Sequence, residues 1–217
     1  MGSNLWIEQN VREGAPSPIP SRFVLTYREL MTTAVGDPFE CHALACALAV
    51  AATEPRPLTE ALGMSRSALK AMLACHFPSL RALPVDAGPG PDALEEPDLR
   101  ALLLEHRSTG AVVEEWFGAI IARRSLGTNH LWQDMGLSGR GDVSTLLNRH
   151  FHSLAQQNVR SMKWKKFFYR QLCLREDVLI CKSPHCDSCD DFSKCFGDEF
   201  PLGTPSGPRE TWHDHHQ

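Results

Sequence analysis

Apolar residues recur at helical spacing along most of this chain. Residues 40–53 are rich in Ala and Leu and contain no Gly or Pro, which predicts a buried helix. Shorter helical patterns cover residues 21–34, 57–63, 65–74, 99–106, 112–126, 142–157 and 161–174. No alternation of apolar and polar residues extends beyond a few positions. The sequence therefore predicts an all-α fold, a helical bundle that ends in a cysteine-rich metal-binding loop.

Proline and glycine mark the borders of this bundle. Residues 1–21 carry three closely spaced prolines and are predicted to be a flexible N-terminal arm. Residues 84–97 hold four prolines and two glycines and are predicted to be a linker or exposed loop. Residues 22–200 form the predicted helical domain, and residues 201–217 a disordered tail.

Composition and charge exclude several classes of protein. The chain has 217 residues and a net charge of −4, which gives no general attraction to nucleic acid or to anionic lipid. No apolar run approaches the ~20 residues that cross a bilayer, and the N-terminus lacks the pattern of a secretory signal. We therefore expect a cytoplasmic protein without a membrane or nucleic-acid partner. In that compartment its eight cysteines are expected to be reduced thiols.

Four cysteines lie within fifteen residues near the C-terminus, and they are Cys181, Cys186, Cys189 and Cys195. Their C-x4-C-x2-C-x5-C spacing can bring four thiolates to one metal centre. Zinc sites usually pair two short knuckles across a longer spacer, whereas this single run resembles iron–sulfur ligation more closely. Spacing alone leaves iron–sulfur, zinc and a chance cluster open. Between the thiolates, His185 is either a solvated loop residue or an additional ligand for a harder metal.

The predicted helix before this run is basic on one face. Lys163, Lys166 and Arg170 share that face, which could bind an oxyanion or an acidic partner, or simply be solvated. Trp164, Phe168 and Leu172 form the predicted buried stripe. Cys173, near the end of the helix, is either a small buried residue or a further metal ligand.

Four other residues are expected to be structural. Cys41, Cys46 and Cys75 lie in Ala- and Leu-rich helices, where a core role is favoured. His76 follows Cys75 and either caps the end of its helix as a cation, which is favoured, or reaches toward the metal.

Two DNA-related alternatives exist. Residues 58–73 resemble a helix-turn-helix, with Gly63 in the turn and Ser65 opening the second helix, so that the chain would be an iron–sulfur DNA-binding regulator. That second helix offers only Arg66 and Lys70 as basic residues, which is a small DNA footprint. A helical DNA glycosylase would need a glycine-rich hairpin before the cysteines, and none is present.

The sequence of residues 129–173, which ends in WKKFFYRQLC, followed by CKSPHCDSCDDFSKCFG, strongly resembles the nitrogen-fixation accessory family NifQ. The resemblance is weaker but recognisable over residues 40–126, which include LACHFP, and it is absent from residues 1–20 and after Pro201.

The resemblance implies a function and a ligand set. Members of the family carry an iron–sulfur cluster, of 4Fe–4S or 3Fe–4S type, that takes up molybdenum. They donate this metal to the scaffold and carrier proteins that assemble the iron–molybdenum cofactor of nitrogenase. The family's four motif cysteines correspond to Cys181, Cys186, Cys189 and Cys195, and Cys173 closes the helix motif. Molybdate, if it is the source, would need cationic neighbours such as Lys163, Lys166 and Arg170. The chain is thus expected to be a metal carrier and not an enzyme.

Overall fold

The computed structural model describes residues 21–80, 87–175, 192–197 and 199. All regular elements within these residues are helices, which confirms the all-α class. We number them α1 (Ser21–Thr32), α2 (Pro38–Ala51), α3 (Leu58–Leu62), α4 (Arg66–His76), α5 (Glu96–Glu105), α6 (Val112–Ser125), α7 (Leu131–Asp134), α8 (Arg140–His150), α9 (His152–Ala155), α10 (Trp164–Arg175) and α11 (Phe192–Phe196). The predicted N-terminal arm before Ser21 and the predicted tail lie outside the described residues. No helix in the described part of the chain has the length and apolarity needed to cross a membrane.

Two helices, α2 and α6, supply much of the core. In α2 the side chains on nearly every side are buried, as the Ala- and Leu-rich pattern predicts. Asp37 caps the start of α2, because its carboxylate accepts hydrogen bonds from the backbone N–H groups of Phe39 and Glu40. Trp116, Phe117, Ile120 and Ile121 of α6 belong to the same apolar core. The remaining helices surround these two.

The packing order places the basic helix on the outside of the bundle. Helix α1 packs on α2, and α3 contacts both α2 and α6. Helices α4, α5 and α7 pack on α6, and α10 lies against α5. A short ion pair between Arg175 and Glu105 joins the ends of α10 and α5, with 2.6 Å between Nη2 and Oε2. This exposed pair is a contact of α10 with the bundle at the last described residue before the cysteine segment.

A glycine turn joins α3 and α4. Gly63 has a left-handed backbone, with φ of 63°, which closes α3. Ser65 caps α4 as predicted, since its hydroxyl accepts a hydrogen bond from Ala68 N at 3.1 Å. Behind the turn, fully buried Glu96 pairs with Arg123 at 2.8 Å, and Arg123 also donates to the carbonyl of Glu60 at 2.7 Å. This buried pair connects α5, α6 and α3.

Two predicted boundaries are wrong. The helix expected over residues 142–157 is two helices, α8 and α9, separated at Phe151 (φ −139°, ψ 48°). The buried ring of Phe151 joins the core there, and the carbonyl of His150 accepts a hydrogen bond from Ser108 N at 2.9 Å outside its helix. The predicted linker extends too far as well, because α5 already begins at Glu96. Pro97 is compatible with that first turn, where a backbone N–H has no partner in the helix.

Candidate metal centre

The basic helix begins later than its periodicity predicts. Ser161 has φ of 53°, so α10 starts at Trp164 and not at residue 161. Arg140 holds this entry segment by donating to the carbonyls of Ser161 and Met162, both at 2.8 Å. Asn158 adds a side-chain acceptor for Met162 N and a donor to Met162 O, again at 2.8 Å. The segment before α10 is therefore fixed by side chains.

Helix α10 has the predicted apolar stripe with one addition. Trp164 and Phe168 are buried, Leu172 is half-buried, and Phe167 is buried beside them. The rings of Trp164 and Phe167 meet edge to face, with 5.8 Å between centroids. Lys166 lies on the opposite, exposed side. The aromatic contacts attach α10 firmly enough to orient the residues around it.

Cys195 is held against the start of α10. Its carbonyl accepts a hydrogen bond from Lys163 N at 2.8 Å, and the Lys163 ammonium donates to the carbonyl of Ser193 at 3.2 Å. Cys195 is half-buried, and it lies in the short helix α11 and not in an irregular loop as predicted. The last predicted metal ligand is thus fixed on the bundle beside the basic residues.

Aromatic and ionic contacts fix the rest of this C-terminal piece. Phe192 and Phe196 stack within α11 at 4.5 Å between centroids, and the Arg160 guanidinium lies 5.4 Å from the Phe196 ring. Further along, Glu199 accepts a hydrogen bond from Arg140 Nη1 at 2.8 Å. Arg140 therefore contacts both the segment before α10 and the residue beyond α11.

The structure describes only part of the predicted ligand set. Cys181, Cys186, Cys189 and His185 lie outside the described residues, so their role stays a prediction. Cys173 is half-buried in the last turn of α10. It is less buried than a core residue would be, and its role as a metal ligand stays a prediction. Among the residues that the structure describes, no group of three or more His, Cys, Asp or Glu side chains could hold a metal ion.

A cavity of about 520 Å³ opens beside Cys195, and we call it the lysine cavity. Its walls come from the segment before and within α7, the start of α10, and the C-terminal piece around α11. Lys163, Lys165, Lys166 and Lys194 line it together with His130 and Tyr169. Arg170, predicted to share the basic face, is not part of the lining.

The charges in the lysine cavity are unevenly compensated. Lys165 forms an ion pair with Asp134 and donates to Gly127 O at 2.8 Å, and burial lowers its pKa. Glu199 is the one carboxylate among the described lining residues, and Arg140 binds it. Burial also lowers the pKa of His130, against the opposing effect of Glu199 at 3.7 Å. The lining formed by the described residues is therefore cationic.

The upstream cysteines have separate surroundings. Cys41 and Cys46 are buried as predicted, and burial raises the pKa of each thiol. Cys75 is exposed, which corrects the expected core role; it lies on the outer side of α4, whereas Met72 and His76 point inward. His76 is not a cationic cap. Its ring is buried 3.7 Å from Cys41 Sγ, and burial lowers its pKa.

Sequence patterns missed several residues of this region. Lys194, His130, Arg140 and Glu199 meet the start of α10 only in the folded chain. Lys194 is adjacent to Cys195 in sequence, which was the one local signal available. His130 and Arg140 lie more than twenty residues upstream of α10, where helical periodicity carries no information about them.

Comparison with known proteins identifies the family. A sequence profile described as NifQ matches residues 43–197. A protein named "Protein NifQ homolog" from Sinorhizobium fredii is 40% identical over 169 residues, which cover 73% of this chain and 72% of that protein. "Protein NifQ" from Rhodobacter capsulatus is 39% identical over 145 residues, covering 64% and 78%. "Protein NifQ" from Azotobacter vinelandii is 44% identical over 102 residues, covering 47% and 52%.

No solved structure matches this chain significantly. The family profile nevertheless covers the bundle from within α2 onward, the cysteine segment and α11, which is well over half of the sequence. The matched region ends just after Cys195 and so includes all four cysteines of the motif. The chain therefore belongs to the NifQ family.

Proposed function

We propose that this protein carries a molybdenum–iron–sulfur cluster and donates molybdenum for biosynthesis of the iron–molybdenum cofactor of nitrogenase. Membership of the NifQ family supports the wider role in nitrogen fixation and in cofactor assembly. On this proposal the recipients are the scaffold and carrier proteins of the assembly pathway. The protein acts as a metal carrier and biosynthetic accessory protein and catalyses no reaction of its own.

The position of Cys195 is the observation that best supports this proposal. Its helix is joined to the start of α10 by the bond between Lys163 N and Cys195 O. Cys181, Cys186 and Cys189 precede it in the same short run, and four thiolates suit iron and reduced molybdenum. Cys173 and His185 are available as additional ligands. A cluster of four thiolates is anionic, and the lysines around Cys195 reduce the electrostatic cost of holding it there.

The alternative function is an iron–sulfur DNA-binding regulator. The helix pair that suggests it does form, as α3 and α4 around Gly63. Helix α4, which the structure describes in full, exposes Arg66 and Lys70, and this is a small basic footprint for DNA. The basic residues concentrate instead around α10 and α11. We therefore favour the carrier function.

Metal analysis of anaerobically purified protein tests the proposal. We expect iron in several-fold molar excess over protein, together with molybdenum, and loss of both in the Cys186→Ala/Cys189→Ala variant. Cys75→Ala is the matched control, because Cys75 is exposed on α4, and we expect its removal to leave the metal content unchanged. Stoichiometric zinc without iron would refute the proposal and favour a structural metal, with DNA binding as the next function to test.

A further inference from the structure

The lysine cavity has the chemistry of an anion site. Among the described residues that line it, the cavity combines four ammonium groups with one carboxylate, which Arg140 contacts at 2.8 Å. Lys165 is largely satisfied by Asp134 and by the carbonyl of Gly127, so it is a structural cation. Lys163, Lys166 and Lys194 also line the cavity.

Lys163 and Lys166 keep N–H groups that can donate hydrogen bonds to such a ligand. Lys163 donates one hydrogen bond, to Ser193 O at 3.2 Å, and an ammonium group has three N–H donors. Lys166 is exposed and pairs with no acidic side chain in the described part of the chain. An exposed ammonium on the wall of a cavity attracts anions from solution.

Neutral donors complete the lining. Tyr169 is half-buried on the wall formed by α10, and burial raises its pKa, so its phenol keeps the proton and can donate it in a hydrogen bond. His130 lies across the cavity, with a ring that burial keeps neutral near pH 7. Cationic groups together with neutral O–H and N–H donors suit a small anion with several acceptor oxygens.

We propose that the lysine cavity binds a tetrahedral oxyanion of the molybdate, sulfate and phosphate class. Lys163, Lys166 and Lys194 supply the charge, with Tyr169 and His130 as neutral donors. The assignment of molybdate as the physiological ligand rests on the proposed carrier function. The site itself depends only on the shape and charge of the cavity.

The location of the cavity connects anion binding to the metal segment. Lys194 precedes Cys195 on α11, and Lys163 bonds to α11 through both its backbone and its side chain. An anion in the cavity therefore contacts the two elements that position Cys195. Molybdate bound there would lie beside α11, the helix that carries Cys195.

Isothermal titration of the full chain tests the site directly. The protein is prepared metal-free and reduced, in a chloride buffer at low ionic strength, and is titrated with sodium molybdate. We expect saturable 1:1 binding that Lys166→Gln and Lys194→Gln each weaken by about tenfold or more, because each removes a charged donor. Arg170→Gln is the matched control on the same helix, outside the lining, and is expected to change Kd by less than about twofold. Circular dichroism verifies that every variant is folded.

The outcomes separate this inference from the proposed function. Absence of saturable binding, or binding that the two lysine variants leave unchanged, would overturn the anion site even if the protein carries iron. Binding of molybdate by Cys186→Ala/Cys189→Ala, which is expected to lose its iron, would support a site that is independent of the cluster. Titrations with tungstate, sulfate and phosphate identify the ligand. Sulfate or phosphate binding as tight as molybdate would support the site and overturn its assignment to molybdate.

Discussion

At the scale of single residues, Asp37 makes the stability of the start of the central helix α2 depend on pH. Its Oδ1 accepts hydrogen bonds from Phe39 N at 2.9 Å and Glu40 N at 3.0 Å, and it pairs with Arg149 at 2.8 Å. The bond from Glu40 N is the largest cause of its lowered pKa, and Arg149 acts in the same direction. The ionised carboxylate is thus the form that stabilises the folded protein.

We expect Asp37→Ala to reduce the free energy of unfolding by about 1 kcal/mol at neutral pH, as for other lost N-caps. Because the folded-state pKa lies below the usual value of 3.8, the stabilisation is complete above that value. It is lost as pH falls through the folded-state pKa, so the difference between wild type and variant should shrink there. Urea unfolding from pH 7 down to about pH 3 measures this.

Asp37→Asn is the control for this experiment, since asparagine keeps the capping oxygen but does not titrate. The variant should retain most of the stability at pH 7. A cost of Asp37→Ala that stays constant down to about pH 3 would contradict the argument.

At the scale of elements, the turn between α3 and α4 depends on close approach to a buried ion pair. An added Cβ at Gly63 would lie 2.8 Å from Glu96 Oε1 and 3.0 Å from Arg123 Cβ. The residue also has φ of 63°, which disfavours any side chain. We expect Gly63→Ala to lower the free energy of unfolding by about 2 kcal/mol or more, measured by urea denaturation.

Gly141→Ala provides the comparison for the turn variant. Gly141 is exposed in the first turn of α8, and an added Cβ there meets nothing within 4 Å. This substitution should be neutral or stabilising by up to about 1 kcal/mol, because alanine favours the helix. Equal effects of the two substitutions would contradict the role assigned to Gly63.

Element prediction from sequence succeeded where local patterns were decisive. The uninterrupted apolar run predicted α2, and Ser65 marked the start of α4, because both signals act within a few residues. The break at Phe151 has no proline or glycine to announce it, and it results from the position of a buried ring in the core. The exposure of Cys75 likewise depends on which side of α4 faces the bundle.

At the scale of the whole molecule, the candidate site combines distant parts of the chain. Lys163, Lys166 and Cys195 were predicted from composition and spacing near the C-terminus. Lys194 and His130 join them in the lysine cavity only through tertiary packing. The same holds for Arg140, whose bonds extend to both sides of the cysteine segment. Helical periodicity relates residues within one helix, so it cannot predict contacts between residues of different elements.

We expect Arg140→Gln to accelerate loss of iron without unfolding the bundle, if the chain holds its cluster as proposed. Arg140 forms hydrogen bonds with Ser161 O, Met162 O and Glu199, each at 2.8 Å, and so joins the elements around Cys195. Removing these bonds should increase the rate of iron release to a chelator several-fold. The release is followed by absorbance of the iron–chelator complex.

Arg149→Gln is the control for Arg140→Gln, because Arg149 lies on the same helix and pairs with Asp37 at the surface. It should release iron at the wild-type rate. Identical rates of iron release for Arg140→Gln and wild type would show that the Arg140 hydrogen bonds have no effect on metal retention.

The hydrogen bond between Lys163 N and Cys195 O also has an entropic consequence. It closes a ring of the chain that begins at Lys163 and ends at Cys195. Closing such a ring costs conformational entropy, and the packing of α10 and α11 offsets that cost. If the chain holds a cluster as proposed, we expect this ring to present Cys195 to an incoming metal at a higher effective concentration than an open chain would.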